Sequence, residues 1–416
     1  MLARIIGSSI FIMLFLSLEF YVFYGLKGHF KDQFKLWMKI SYWLSAAAPV
    51  AWLFFMGRAA SAQPLTNLQL AHHLMIGVWV TLLVTKLVYA GFLFIEDFYR
   101  FMHYGGQKLA KLKDVEREVN LQSRRTFMRR LALFVAAVPF ASFLYGISRG
   151  KYAYTVDKVN IKDPELPEAF NGLRMVQISD VHAGSFDNRE AVAKGLQMIQ
   201  DLEADLIVFT GDLVNNRAHE IVPYIDLFAN LTAPLGKFSV LGNHDYGSYV
   251  RWPSDAAKEQ NLDKLKQYQA DMGFKLLNNS ALVLEKEGQQ ICLAGVENWG
   301  HGPYPKEGDL AGCFGEENNG LFTILLSHDP SHWRHKVLEH PQKVHLTLSG
   351  HTHGMQLGVK IPGFQWSPAK WRYKEWAGLY EELDQRLYVN RGFGFLGFPG
   401  RVGMLPEITL FEFTKA

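Results

Sequence analysis

Five short stretches in the second half of this chain gather residue types that bind metal ions. They are Asp180 with His182, Asp212, the run Asn243-His244-Asp245, His328, and His351 with His353. Imidazole nitrogens mixed with carboxylate and amide oxygens suit Mn, Fe, Zn or Ni better than Ca or Mg. Two divalent transition ions are therefore expected, Mn foremost. A carboxylate can bridge two ions, which sets Asp212 apart, while Asn243 supplies a neutral amide oxygen. Gly211, Gly242 and Gly350 precede three of the stretches and fit turns where backbone approaches a ligand closely. One such stretch would be a weak signal, since a lone histidine is usually a satisfied core residue. Five in order, each leaving an apolar run, are a strong one.

Those apolar runs are the elements that must position the ligands. Residues 173–179, 206–210, 238–241, 290–296, 322–327, 344–349, 386–390 and 408–413 read as buried strands, with helices near 189–202 and 256–272. Such alternation gives an α/β domain. In open α/β sheets ligands collect outside the carboxyl ends of strands, so the five stretches can meet at one rim.

The series resembles the calcineurin-like metallophosphoesterases, whose pattern is Asp-X-His, Gly-Asp-X-X-Asp/Asn, Gly-Asn-His-Asp/Glu, His and Gly-His-X-His. The resemblance covers about residues 170–416. It implies a four-layer α/β/β/α sandwich in which one metal takes Asp180, His182, Asp212 and His353, and the second takes Asp212, Asn243, His328 and His351. Asn215 stands where many members have Asp, a common variant that leaves the ligand set intact. Two ions roughly 3.5–4 Å apart would clamp an in-line displacement at phosphorus, with a metal-bridging hydroxide attacking. His244, beside the ligands, is the expected general acid for the leaving oxygen. Asp245 is expected to orient that imidazole, with a strand-end cap as its alternative role. Asn243 and Arg391 are the expected substrate contacts, the arginine because its fork can grip a phosphate.

The front third is of another kind. Apolar stretches at about 5–26, 40–56, 71–94 and 131–147 read as transmembrane spans preceding a catalytic domain, giving a membrane module over 1–150 and the phosphoesterase domain over 155–416. Lysines 27, 31, 35 and 39 fill the first loop, Arg58 stands alone after the second span, and Lys108, Lys111, Lys113 and Arg117 help make the third loop basic. The positive-inside rule then places the catalytic domain on the extracytoplasmic side of a bacterial inner membrane. Residues 123–129, Ser-Arg-Arg-Thr-Phe-Met-Arg, are similar to a twin-arginine export signal, which makes that export machinery an expected partner; an ordinary basic flank is the other reading. Glu19 and Lys86 fall inside spans, where an unpaired charge is costly, and a pairing between them competes with snorkelling of the lysine.

Other features bear on substrate and partners. The formal net charge of +3 argues against a nucleic-acid partner. The aromatic and basic run from Trp366 through Trp371, Arg372, Tyr373 and Lys374 to Trp376 reads as a lipid-contacting lip or, more plainly, as core and loop packing. Cys292 and Cys313 do not by themselves establish a disulfide. The functional expectation is a membrane-anchored hydrolase of phosphomonoesters, phosphodiesters or pyrophosphates, lipid-linked substrates included. The alternative is a non-catalytic or regulatory phosphoesterase-like domain on a transporter or sensor. The complete ligand set opposes the first form of that alternative, and the scarcity of polar residues in the spans opposes the second.

Overall fold

The computed structural model describes residues 2–59, 69–111, 121–302 and 304–416; the side chains of 2–9, 53, 56–59, 69–70, 107–111 and 121–123 fall outside that description. The chain divides into two units, Met1–Tyr145 and Gly146–Ala416.

Among the described residues the first unit holds four α-helices, α1 (Leu2–Phe30), α2 (Leu36–Ala59), α3 (Gln69–Lys111) and α4 (Leu121–Ser148). Each outruns its apolar stretch because helix formation continues into the basic flanks. Among the described residues, three segments are long and apolar enough to cross a membrane: Ile10–Gln33, Ala71–Gly106 and Arg124–Ser148. The expected second span lies on α2, part of whose side chains are outside the described residues. Outside them too are the side chains of Arg58, Lys108, Lys111, Lys113, Arg117 and Ser123, on which part of the expected orientation and export signal rests. Exposed Phe11, Leu14, Phe94 and Phe134 give the bundle the apolar exterior that lipid demands.

Its interior holds a charge pair. Lys86 Nζ lies 2.9 Å from both carboxylate oxygens of Glu19, and Tyr42 Oη donates to Glu19 Oε2 at 2.6 Å. The same ammonium sits 4.7 Å from the Tyr42 ring centroid. Of pairing and snorkelling, pairing is the one observed. Arg124, from the Arg-Arg dipeptide, pairs with buried Glu96 at 3.2 Å and stacks on Tyr99.

The second unit holds two six-stranded mixed sheets. The first, ordered β1-β14-β2-β3-β4-β5, uses β1 (Thr155–Asp163), β2 (Arg174–Ile178), β3 (Leu206–Phe209), β4 (Lys237–Ser239), β5 (Phe274–Leu276) and β14 (Glu407–Lys415). The second, ordered β12-β13-β9-β8-β7-β6, uses β6 (Ser280–Lys286), β7 (Gln289–Gly295), β8 (Phe322–Leu326), β9 (Leu346–Ser349), β12 (Gly378–Glu382) and β13 (Gln385–Val389). A separate hairpin pairs β10 (Val359–Ile361) with β11 (Phe364–Trp366). Helices α5 (Arg189–Gln200), α6 (Ile225–Ala229) and α7 (Asp255–Asp271) complete the unit.

Side-chain alternation explains the layers. In β3, Leu206 and Val208 join a core shared with Ile291, Ile324 and Leu348 of the other sheet, while Ile207 and Phe209 face a core with Val192 and Leu196 of α5. Both faces are therefore buried, and the strand reads as a continuous apolar run. A third core, with Trp333, Val337 and Leu338 over Cys292, Ala294 and Leu325, covers the outer face of the second sheet. The expected α/β/β/α order is present, although that fourth layer is thin, made of single turns such as Trp333–Val337. Strands β2, β3 and β4 run parallel, as do β7, β8, β9 and β13. Their carboxyl ends carry all five ligand stretches. Cys292 and Cys313 are both free and buried.

Candidate metal centre

Seven side chains converge where those strands end. Asp180, His182 and His353 form one group of potential metal donors, and Asp212, His328 and His351 another, with the donor atoms of each group within 4.8 Å of one another. In the first, His353 Nε2 stands 3.2 Å from Asp180 Oδ1 and 3.1 Å from His182 Nε2. In the second, Asn243 Oδ1 lies 3.2 Å from His328 Nε2 and 2.8 Å from His351 Nδ1, and those two nitrogens are 3.3 Å apart. Asp212 Oδ2 connects the groups, 3.5 Å from His182 Nε2 and 3.2 Å from His328 Nε2.

These spacings suit ions. Two ligands bonded at about 2.1 Å and meeting at 90–110° stand roughly 3.0–3.4 Å apart. The electrostatics agree: Asp180 and Asp212 are buried carboxylates with imidazoles around them. Burial opposes charge on His328, yet the adjacent Asp212 carboxylate holds its pKa up to about 10, so this pocket calls for a cation. Burial drives His182 and His351 toward the neutral form that can ligate. His328 Nδ1 lies 2.7 Å from the Thr210 carbonyl; donation there leaves Nε2 free to face the centre.

The backbone bends sharply to deliver these groups. Asp180, His182, Asp212, His351 and His353 all have φ between 47° and 71°, the left-handed region. Two glycines give them room. A Cβ at Gly242 would lie 2.2 Å from Asp212 Oδ1, and one at Gly350 would lie 1.9 Å from Ser179 Oγ.

His244 is half-buried next to the donors, its ring centroid 5.0 Å from that of His182. Its Nδ1 lies 2.8 Å from the Asn215 carbonyl. Asp245 does not orient it. Asp245 is buried and accepts backbone N–H bonds from Gly242, Asp212, Leu213 and Val214, locking the turn that carries Asp212 to the turn after β4. The capping role is the one observed, because four converging amides outcompete a neighbouring side chain. Arg391 is no phosphate contact either. It is 2% exposed, and its guanidinium pairs with Glu407 at 2.7 Å and Asp157 at 2.9 Å.

Four residues beside the donors were not read as part of the site from the sequence, although Tyr373 belongs to the aromatic and basic run. Tyr249 Oη accepts from Asn243 Nδ2 at 2.8 Å, which turns the amide oxygen toward His328 and His351. Tyr373 Oη lies 2.9 Å from His351 Nε2, with Asp329 Oδ2 3.7 Å from the same nitrogen. Arg401 is fully buried with its Nη2 3.2 Å from His353 Nδ1. Of the four, Asp329 alone adjoins one of the five ligand stretches, directly after His328.

Residues 173–355 match the family model for calcineurin-like phosphoesterases, and residues 3–151 match one described as a probable calcineurin-like phosphoesterase, transmembrane domain. The metallophosphoesterase YkuE of Bacillus subtilis is 32% identical over 298 residues, 70% of this chain and 96% of that protein. The chain belongs to the calcineurin-like phosphoesterases. Other members of the family resemble it too. A transmembrane protein with metallophosphoesterase domain from Danio rerio is 30% identical over 80% of this chain and 73% of its own length. A UDP-2,3-diacylglucosamine pyrophosphatase of Chlamydia trachomatis, LpxG, is 27% identical over 62% of this chain and 89% of its own length. This calcineurin-like phosphoesterase is thus a membrane protein with two candidate metal triads, and its family supports phosphoester hydrolysis.

Proposed function

We propose that the chain is a membrane-anchored hydrolase of phosphoesters that works with two divalent transition ions. The observation that carries this reading is Asp212 Oδ2, set between two buried donor groups. Asp180, His182, Asp212 and His353 would hold one ion, and Asp212, Asn243, His328 and His351 the other. When bound, such ions supply Lewis-acid neutralisation of phosphoryl charge and activation of water.

The chain's own residues do the rest. With Nδ1–H donated to the Asn215 carbonyl, His244 can present a protonated Nε2 to the leaving oxygen. The Tyr249 ring packs tilted against that ring at 4.5 Å and its hydroxyl holds the Asn243 amide, so acid and ligand are positioned by one side chain. Mn, Fe, Zn and Ni all suit these donors, and Mn is the ion we favour for the first test.

Lipid-linked phosphoesters are the favoured substrates, supported by the membrane domain and by the diacylglucosamine substrate named for the Chlamydia relative. Loop charges favour an extracytoplasmic catalytic domain, and the Arg-Arg stretch ahead of the last apolar run favours twin-arginine export. A reporter fused after residue 416 reads the side.

The test is metal-dependent hydrolysis of bis-p-nitrophenyl phosphate by the full-length protein in detergent. Turnover with Mn is expected, and Asp212→Asn should reduce it by roughly 10³-fold or more, since both ions lose a shared ligand. No turnover with Mn, Fe, Zn or Ni would defeat the proposal.

A further inference from the structure

The β10–β11 hairpin is turned inside out for a protein in water. Val359 pairs with Trp366 and Ile361 with Phe364, so these four side chains share one face of the ribbon, while Lys360 and Gln365 share the other. Lys360, itself exposed, is ion-paired with Asp157 of β1, which ties the polar face of the ribbon to the domain. The apolar face is left outward, with Val359 45%, Ile361 57% and Phe364 55% exposed. Trp366 extends the patch edge-to-face onto Trp371, which is 79% exposed. A bare two-stranded ribbon gains little stability by itself, so an unpaired apolar face on one needs a partner.

The hairpin is also tethered, through the segment that follows it, to the Gly-His-X-His turn. The turn carrying His353 leads directly into β10. Ser367 Oγ donates to the Gly354 carbonyl at 2.6 Å, Thr352 Oγ1 donates to the Trp376 carbonyl at 2.6 Å, and Tyr373 Oη reaches His351. Both ends of the ribbon are thereby fastened to the Gly-His-X-His turn.

We propose that this face rests on the surface of an anionic lipid bilayer, setting the metal centre beside phosphoesters resident in that bilayer; the second half rests on the function proposed above. Three observations select lipid as the occupant. Trp and Phe beside aliphatic residues suit the headgroup boundary. Lys370, Arg372 and Lys374 are exposed around Trp371 and are complementary to anionic headgroups. The chain also carries a membrane domain directly ahead of this one, with only residues 149–154 between α4 and β1.

The experiment uses the full-length protein in nanodiscs of phosphatidylcholine and phosphatidylglycerol. An environment-sensitive fluorophore is attached at Phe364→Cys and, as control, at Glu287→Cys; native Cys292 and Cys313 are buried and do not compete. Glu287 lies in the β6–β7 turn, at the amino-terminal end of β7 and away from the metal rim. Blue-shifted emission at 364, quenched roughly twofold or more above the control by headgroup-proximal doxyl lipids, is expected for a face seated at the acyl boundary. Equal quenching at both positions overturns the proposal. A shielded label that lipid does not quench, with crosslinking between copies at 364, assigns the face to a second copy and overturns it equally.

The double variant Ile361→Ser/Phe364→Ser then tests the substrate half. Turnover of soluble bis-p-nitrophenyl phosphate should be unchanged, and that of p-nitrophenyl phosphatidate in vesicles should fall about tenfold. Equal effects on both esters overturn that half. Hydrolysis of neither ester by the unaltered chain defeats the proposed function, while the quenching measurement still decides whether the face meets lipid.

Discussion

His182 and His353 face each other with their Nε2 atoms 3.1 Å apart, in a pocket that also buries Asp180 and Asp212. Two imidazole nitrogens so placed hold one proton between them at most, and a bound ion would satisfy both while offsetting the carboxylate charge. Stripping the protein with a chelator should therefore lower its melting temperature as well as its activity, and Mn should restore both. At a free ion concentration 100 times Kd the stabilisation would be about 2.7 kcal/mol. Calorimetry alongside elemental analysis checks this; identical melting curves for loaded and stripped protein would count against ion binding here.

The contact between His244 and the Asn215 carbonyl yields a leaving-group test. A proton donor matters only when the departing oxygen is basic. His244→Ala should cost roughly 10²–10³-fold in kcat on an alkyl phosphodiester and less than about tenfold on a p-nitrophenyl ester. Parallel losses on both esters would make His244 a binding residue.

Asp245 leads to the opposite expectation. Its carboxylate accepts four backbone N–H groups, so Asp245→Asn turns an amide donor toward donors. A loss of about 3 kcal/mol in stability is expected, together with reduced metal content, because the turn bearing Asp212 loosens. Thermal melting separates this from a catalytic role, in which kcat would fall while the melting temperature held.

Within the helical unit, Glu19 and Lys86 should behave as a pair. Removing either alone strands a buried charge and should destabilise by about 3–5 kcal/mol. Replacing both, as Glu19→Gln/Lys86→Met, should recover most of the loss, because the desolvation cost disappears with the charges. Melting curves in nanodiscs decide it, and additive losses would show that the two act independently.

All eight strands read from the sequence are present, because two-sided burial writes them as unbroken apolar runs. The strands that escaped notice have other patterns. β1 reads Thr-Val-Asp-Lys-Val-Asn-Ile-Lys-Asp, an edge strand with polar residues throughout, β6 and β12 are the two edges of the second sheet, and β5, β10 and β11 are each three residues long. The ligand stretches were legible because their donors leave strands at short, fixed spacing. Asp245 and Arg391 were misread for a shared reason: residue type shows what a side chain can bind, whereas the backbone amides around Asp245 and the acids around Arg391 come from distant segments. Tyr249 left no trace because a tyrosine beside the site looks like any other, and Tyr373 was read only as part of an aromatic and basic run.

The left-handed backbone at five of the donor residues bears on the order of assembly. Such a conformation costs an L-residue about 1–2 kcal/mol in a free chain, so an unfolded segment rarely presents Asp180 and His182 as they stand here. The completed sheets hold all five in place, with Asp245 tying the turn of Asp212 to the turn after β4. On the proposed two-ion reading, folding would come first and filling second, and the ion would be drawn from the compartment that the finished domain meets.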